Sequence, residues 1–282
     1  MRIIGRFAPS PTGPLHFGSL VAATASYLAA RQAGGNWLLR IEDLDKPREQ
    51  PGATDAIIQT LSDYGFAWDG DILYQSQRLD AYHAALASLH EHTYPCTCSR
   101  KAFGSIYPGT CRQRPHTPLH QQHSIRVRTH NDPICFTDAI QGKYCQRLES
   151  EVGDFVILRA DGWFAYQLAV VVDDAFQGIN QVVRGADLLD NTPRQILLQQ
   201  LLGFPQPNYA HVPLVLNEHG QKLSKQNLAP ALGTSGRLQT LVSALRFLGQ
   251  TCPDANEFTT LTSLWDWAIA HWDISNIRQS QA

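Results

Sequence analysis

The chain reads as an α/β protein built on a parallel sheet, with a cysteine-bearing basic insertion and a short helical C-terminal region. Three observations predict this. Strand-like, helix-like and strand-like stretches follow one another at crossover spacing within the first 43 residues. Periodicity then stops near Tyr94, in a segment rich in Cys, Pro, His and Arg, and apolar runs resume beyond residue 131. After Gly236, residues Leu238, Leu241, Val242, Leu245 and Leu248 recur on one helical face.

Taken in order, residues 2–8 read as a strand. A helical pattern runs from Leu20 to Gln32 and is stopped by Gly34-Gly35, and "NWLLRIED" (36–43) reads as a second strand, apolar and then abruptly acidic. Residues 52–64 and 78–90 read as helices. The stretch 154–185 reads as a return to strands, with an Asp-Gly hairpin turn at 161–162. "TPRQILLQQLLGF" (192–204) reads as a helix with Thr192 as cap, Pro193 in its first turn and Gly203 at its end. The predicted organisation is residues 1–93 as the first half of the α/β fold, 94–131 as the insertion, 132–232 as the second half, and 233–282 as the helical tail.

Composition narrows the function class. With 282 residues, 43% hydrophobic and 17% charged, the chain has the make-up of a globular protein able to bury a core without disulfide staples. No apolar run reaches the ~18 residues of a membrane span, and "MRIIGRFAPS" is too short and interrupted for a signal peptide. A cytoplasmic protein with no membrane partner is therefore expected. In that compartment a disulfide framework is not expected, and the clustered Cys96, Cys98 and Cys111 point to metal instead. Net charge is −2, so the chain lacks the global signature of a nucleic-acid binder. Residues 92–131, however, contain no Asp or Glu and carry six Lys or Arg with five His. Such a segment is either a phosphate-facing surface or a solvated loop.

Two stretches suggest chemistry. "PSPTGPLHFGS" (9–19) joins the first strand to the first helix, where free backbone N–H groups favour phosphate. Gly18 permits close approach of a nucleotide and His16 can bond a phosphate oxygen, but neither a Walker loop nor Gly-x-Gly-x-x-Gly is present, so His16 taken alone also reads as structural. "KLSKQ" (222–226) places Lys222 and Lys225 on a loop, suited to stabilising charge on a phosphate or to plain solvation.

Together these stretches resemble the two signatures of the class I aminoacyl-tRNA synthetases. "RFAPSPTG", "LLRIEDLD" and "VVRGADLLDNTPRQ" (182–195) are similar to the glutamyl branch, and the likeness runs in order from residue 2 to about 230. Departures are Ser19 where the first signature ends in a second histidine, and Leu223 and Gln226 where the second carries methionine and serine. About 50 residues follow the lysine loop, so a separate anticodon-binding domain is not expected. That shortened form resembles the members that attach glutamate to the queuosine base in the anticodon of aspartate tRNA.

The resemblance implies a Rossmann-like class I sheet with a zinc-bearing insertion. It implies ATP, used with Mg2+, and L-glutamate as substrates, a queuosine-containing aspartate tRNA as partner, and a monomer. His16, Lys222 and Lys225 would act on the phosphates, with Gly18 and Ser19 beside ATP. Glutamate presents two carboxylates and one ammonium, so its recognition calls for two cations and one anion. Arg6 and Arg184 supply the first, in either order, and Glu42 the second. Ala8, Ser10 and Tyr166 complete the pocket by analogy. Structural Zn2+ would sit on Cys96, Cys98 and Cys111, with Tyr107 or His116 as fourth ligand. Two other functions fit the same residues: a shortened synthetase acting on a tRNA 3′ end, and a non-catalytic, zinc-stabilised RNA-binding module.

Overall fold

A computed structural model describes residues 2–114, 122–216 and 230–279, with Arg100 by its backbone alone. The elements are β1 (Ile4–Phe7), α1 (Phe17–Gln32), β2 (Asn36–Ile41), α2 (Ala53–Asp63), β3 (Leu73–Tyr74), α3 (Leu79–Ser88), β4 (Thr93–Cys96), β5 (Ser124–Val127), β6 (Ile134–Asp138), β7 (Gly142–Gln146), α4 (Leu148–Glu151), β8 (Val156–Leu158), α5 (Tyr166–Phe176), β9 (Gln181–Gly185), α6 (Thr192–Leu202), β10 (Asn208–Val212), α7 (Arg237–Phe247) and α8 (Leu261–His271).

Strands β1, β2 and β3 form one parallel ladder, and β7, β6, β10 and β9 form a second. In the second ladder β6, β10 and β9 are parallel, while β7 is an antiparallel edge. Asn180, just before β9, joins the ladders: its N–H donates to the Ile4 carbonyl at 3.1 Å, and its side-chain oxygen accepts from the Ile4 N–H at 2.9 Å. Alternate residues then face opposite sides, as a pleated strand requires. Val183, Ala210 and Val212 enter one core cluster with α1, α2, α7 and α8. Val182 and Tyr209 enter another with α3, α5 and α6. The sheet is therefore covered on both faces, and the order of its strands reverses between β1 and β9. In such sheets ligands bind outside the carboxyl ends of the strands at the reversal.

Close packing at this point depends on small residues. A Cβ at Gly5 would lie 3.3 Å from the Ala30 Cβ, which is why α1, rich in buried alanine, seats tightly on β1. The C-terminal helices share this core: Tyr27, Trp37, Phe66 and Trp265 pack mostly edge to face, with centroids 4.9–5.5 Å apart. A separate antiparallel sheet, β4-β5-β8, carries the insertion.

Three expectations need correction. Residues 166–176 are helix α5, not strand. Gln167 to Asp174 are all buried, so the helix shows no polar stripe, and its valine run imitates a buried strand. The cap of α6 is Asn191; Thr192 is the first helical residue and its hydroxyl donates to the Leu188 carbonyl at 3.2 Å. Finally, Cys135 and Cys145 form a disulfide where none was expected. They lie directly opposite each other across the β6–β7 hairpin, which brings their side chains together.

Candidate active site

The turn between β1 and α1 is tied to the end of β2. Glu42 N–H donates to the Pro9 carbonyl at 3.0 Å, Gln50 N–H to the Pro11 carbonyl at 2.9 Å, and Thr12 N–H to the Ser10 carbonyl at 2.8 Å. Gly13, at φ +137, allows the bend between the prolines. His16 caps α1, its Nδ1 accepting from the Ser19 N–H at 3.3 Å. The stiff turn thus directs the opening of α1 towards the carboxyl ends of the strands and sets Ser10 close to Glu42.

A cavity of about 930 Å³ lies there. Its wall includes Arg6, Ala8, Ser10, His16, Gly18, Ser19, Glu42, Tyr166 and Arg184, drawn from β1, the turn, α1, the residue that follows β2, α5 and β9. Every site residue expected for glutamate, and every one expected for ATP within the described residues, lines this single space. Lys222 and Lys225 lie outside the described residues.

Two buried arginine systems support the wall. In the first, Arg6 Nε is 3.2 Å from Asp174 Oδ1, Arg40 Nη1 is 2.7 Å from the same oxygen, and Arg40 Nη2 is 3.2 Å from Glu42 Oε1. Two guanidiniums and two carboxyl groups alternate, so their charges cancel when all four are ionised. Burial opposes ionisation of Asp174, but Arg6 and Arg40 hold it below the ordinary carboxylate range. Burial lifts Glu42 above that range, and Arg40 and Arg6 offset it only in part. In the second system Arg184 has no carboxylate partner among the described residues. Its Nε donates to His211 Nε2 at 3.0 Å, Nη1 to the Tyr166 hydroxyl at 3.3 Å, and Nη2 to Thr192 Oγ1 at 2.9 Å.

The insertion holds a different cluster. The sulfurs of Cys96, Cys98 and Cys111 lie within 4.8 Å of one another. Tyr107 Oη is 3.3 Å from Cys96 Sγ and 3.8 Å from Cys98 Sγ, and accepts from the Cys111 N–H at 2.9 Å. Thiolates on a tetrahedral ion with ~2.3 Å bonds stand about 3.8 Å apart, so this donor set fits a single metal. Burial opposes ionisation of Cys96, but its hydrogen-bonded neighbours Tyr107 and Arg126 bring its thiol down to about 7. Arg126 lies 3.9 Å over the Tyr107 ring. His116 lies outside the described residues.

The family described as tRNA synthetases class I (E and Q), catalytic domain, matches residues 2–104 and 111–270. The chain belongs to that family. Among curated proteins, glutamyl-Q tRNA(Asp) synthetases of Dechloromonas aromatica and Thiobacillus denitrificans are 53% and 55% identical to it, over 98% and 97% of this chain and 96% and 94% of theirs. The fold is also that of a glutamate tRNA ligase of Elizabethkingia meningosepticum, crystallised with its amino acid. That match has a TM-score of 0.81 at 24% identity and covers the whole chain and 67% of that protein.

For a class I synthetase of the E and Q type, the structure adds residues that sequence reading missed: Arg40, Asp174, His211 and Asp138. Three of them had a faint signal, too weak to assign a role. Arg40 is a charge inside the apolar run of β2, and Asp174 is the second of two aspartates that end the valine run of α5. His211 interrupts the otherwise apolar end of β10. The structure also refines the basic segment. Arg112 pairs with Asp154 at 2.6 Å and Glu149 at 2.6 Å, Arg126 donates to the Asp154 carbonyl at 2.7 Å, and Arg128 to the Arg112 carbonyl at 3.1 Å. These three arginines hold the insertion together.

Proposed function

We propose that the chain activates L-glutamate with ATP and transfers it to the queuosine base in the anticodon of aspartate tRNA. One observation carries this reading. Residues from both halves of the sequence converge on one cavity at the sheet's reversal, in a chain more than half identical to glutamyl-Q tRNA(Asp) synthetases over nearly their whole length.

In this reading Arg6 and Arg184 each take one carboxylate of glutamate, and Glu42 takes the ammonium, with Ala8, Ser10 and Tyr166 closing the pocket. Glu42 suits that task because its neighbours Arg6 and Arg40 are already neutralised in part by Asp174, so the carboxylate still attracts a cation. A glutamate carboxylate oxygen attacks the α-phosphorus of ATP. The bond between the α-phosphorus and the bridging oxygen breaks and pyrophosphate leaves; Mg2+ brought with ATP would offset the phosphate charge. A hydroxyl of the queuosine base then attacks the acyl carbonyl, an ester forms as the acyl–phosphate bond breaks, AMP leaves, and the hydroxyl proton is lost to solvent. His16, Gly18 and Ser19, at the opening of α1, face the phosphates, and Lys222 and Lys225 stabilise the charge that develops there. Structural zinc is held by Cys96, Cys98 and Cys111 with Tyr107 as fourth ligand, which ties a segment poor in apolar residues.

The test uses labelled glutamate, ATP and separate tRNAs. Glutamate-dependent pyrophosphate exchange is expected without any tRNA. Label should enter queuosine-containing aspartate tRNA, and its isolated anticodon stem-loop, but not the same tRNA lacking queuosine. Loss of acceptance on removal of the 3′ adenosine would instead establish a 3′-end synthetase.

A further inference from the structure

Arg184 is held by a chain of buried groups that reaches across three strands. Asp138, at the end of β6, accepts on Oδ1 from the N–H groups of Ile140 at 3.0 Å, Gln141 at 2.9 Å and His211 at 3.1 Å. Its other oxygen, Oδ2, lies 2.5 Å from His211 Nδ1. His211 and Asp138 have side-chain exposures of 0%. A carboxylate saturated in this way accepts only, so Nδ1 carries the proton and donates it. His211 Nε2 is then left with a lone pair, and two groups face it: Arg184 Nε at 3.0 Å and Thr192 Oγ1 at 3.3 Å. The Thr192 hydroxyl gives its proton to the Leu188 carbonyl at 3.2 Å, so Arg184 Nε is the donor that Nε2 accepts from. A doubly protonated ring would set two N–H groups against each other at that distance.

We propose that Asp138 and His211 are positioning residues for the substrate arginine: the carboxylate fixes the tautomer of the imidazole, and the imidazole fixes the plane of the Arg184 guanidinium that faces the cavity. This rests on the glutamate reading above. Thr192 and Tyr166 hold the two Nη atoms, so the three contacts leave rotation of the fork no freedom. A guanidinium needs such fixing to grip a carboxylate with two parallel bonds, and among the described residues Arg184 has no anionic partner of the kind that orients Arg6. The charged and titratable groups facing the imidazole agree with a neutral ring. They are Asp138 on β6, Arg184 on β9, Arg6 on β1 and Tyr209 on its own strand. Burial lowers its basicity and Asp138 opposes this, while Arg184 and Arg6 lower it further. The loop after β6 completes the arrangement, since Gln141 Nε2 donates to the His211 carbonyl at 2.7 Å.

The test is Asp138→Asn with His211→Leu and His211→Gln, each purified as the full chain. An asparagine that keeps the three backbone bonds through its oxygen turns its amide N–H towards Nδ1, which moves the ring proton to Nε2 and opposes Arg184. In pyrophosphate exchange, Asp138→Asn and His211→Leu should raise KM for glutamate about ten- to a hundredfold, the scale of losing a charge-assisted hydrogen bond. KM for ATP should stay unchanged. His211→Gln, which keeps an acceptor near Nε2, should recover most of the loss. Nitrogen NMR of the unmodified protein should show His211 protonated on Nδ1, and a protected Arg184 Nε–H signal that Asp138→Asn removes. An unchanged KM for glutamate, or equal changes in both KM values with no rescue, would overturn the proposal. If the unmodified protein shows no glutamate-dependent exchange, the glutamate reading fails. The tautomer and the Arg184 signal then decide the positioning claim alone, and an Nε2-protonated ring rejects it.

Discussion

The cavity and the insertion are both dense in arginine, yet the two regions use it differently. At the cavity, arginines are stacked against carboxylates at strand ends, and one of them, Arg184, is held by neutral acceptors so that its charge remains available. In the insertion, Arg112, Arg126 and Arg128 turn inward to the Asp154 side chain, the Asp154 carbonyl and the Arg112 carbonyl. Asp154 itself also accepts from Tyr94 and from Thr129 at 2.8 Å. Charge density in a sequence therefore does not reveal which way the charge points. Position does: a residue at the carboxyl end of a parallel strand is placed by the sheet, whereas a residue in an aperiodic segment is placed by whatever partners it finds.

The largest expected effect breaks the cavity side of this contrast. Asp174 stands between Arg6 and Arg40, and Arg40 is fully buried. Asp174→Asn leaves two guanidiniums facing each other without their shared anion. Removing one partner of a buried ion pair costs about 3–5 kcal/mol, so urea unfolding should show a loss of that order together with loss of glutamate activation. A loss below ~1 kcal/mol would mean that water or rearrangement compensates the pair, and that the wall is not built by this network.

The same contrast explains what was legible in the sequence. The strand ends of β1, β2 and β9, the turn at residues 9–19 and the helix opening it directs were readable because local chemistry sets them, and their residues meet at one cavity. The supporting residues were not readable. Arg40 and Asp174 are 134 positions apart and Asp138 and His211 are 73 apart, so only the tertiary arrangement pairs them. Helix α5 was hidden because burial on all sides erases the periodicity on which a helix is recognised. The Cys135–Cys145 bond was hidden because it depends on the register of a hairpin.

A smaller, local effect is expected from the metal. About one zinc ion per chain should be found by elemental analysis, and Cys98→Ser should lose it. Four donors gathered from residues 96–111 have little apolar surface to hold them otherwise, so amide hydrogen exchange should accelerate in that segment. Glutamate activation should change little, because the cavity wall contains no residue of the cluster. Metal retained in stoichiometric amount by a variant lacking all three cysteines would reject the site.

The smallest effect tests the surface of the insertion. With Arg112, Arg126 and Arg128 turned inward, the exposed cations whose side chains are described there are Lys101 and Arg114. Arg114 Nη1 donates to Thr97 Oγ1 at 2.7 Å, which holds its head against the insertion. Each contact to the phosphates of single-stranded RNA steepens the dependence of log affinity on log salt by about 0.7. If both cations lay against the RNA backbone, the double variant Lys101→Ala/Arg114→Ala would flatten that slope by about 1.4, with a matching loss of affinity at low salt. We expect a change below about half of that value, measured by tRNA binding across a salt series, because among the described residues the inward arginines leave few exposed cations to track a phosphate backbone. A full change would restore the insertion as an RNA surface and remove the distinction between the two regions.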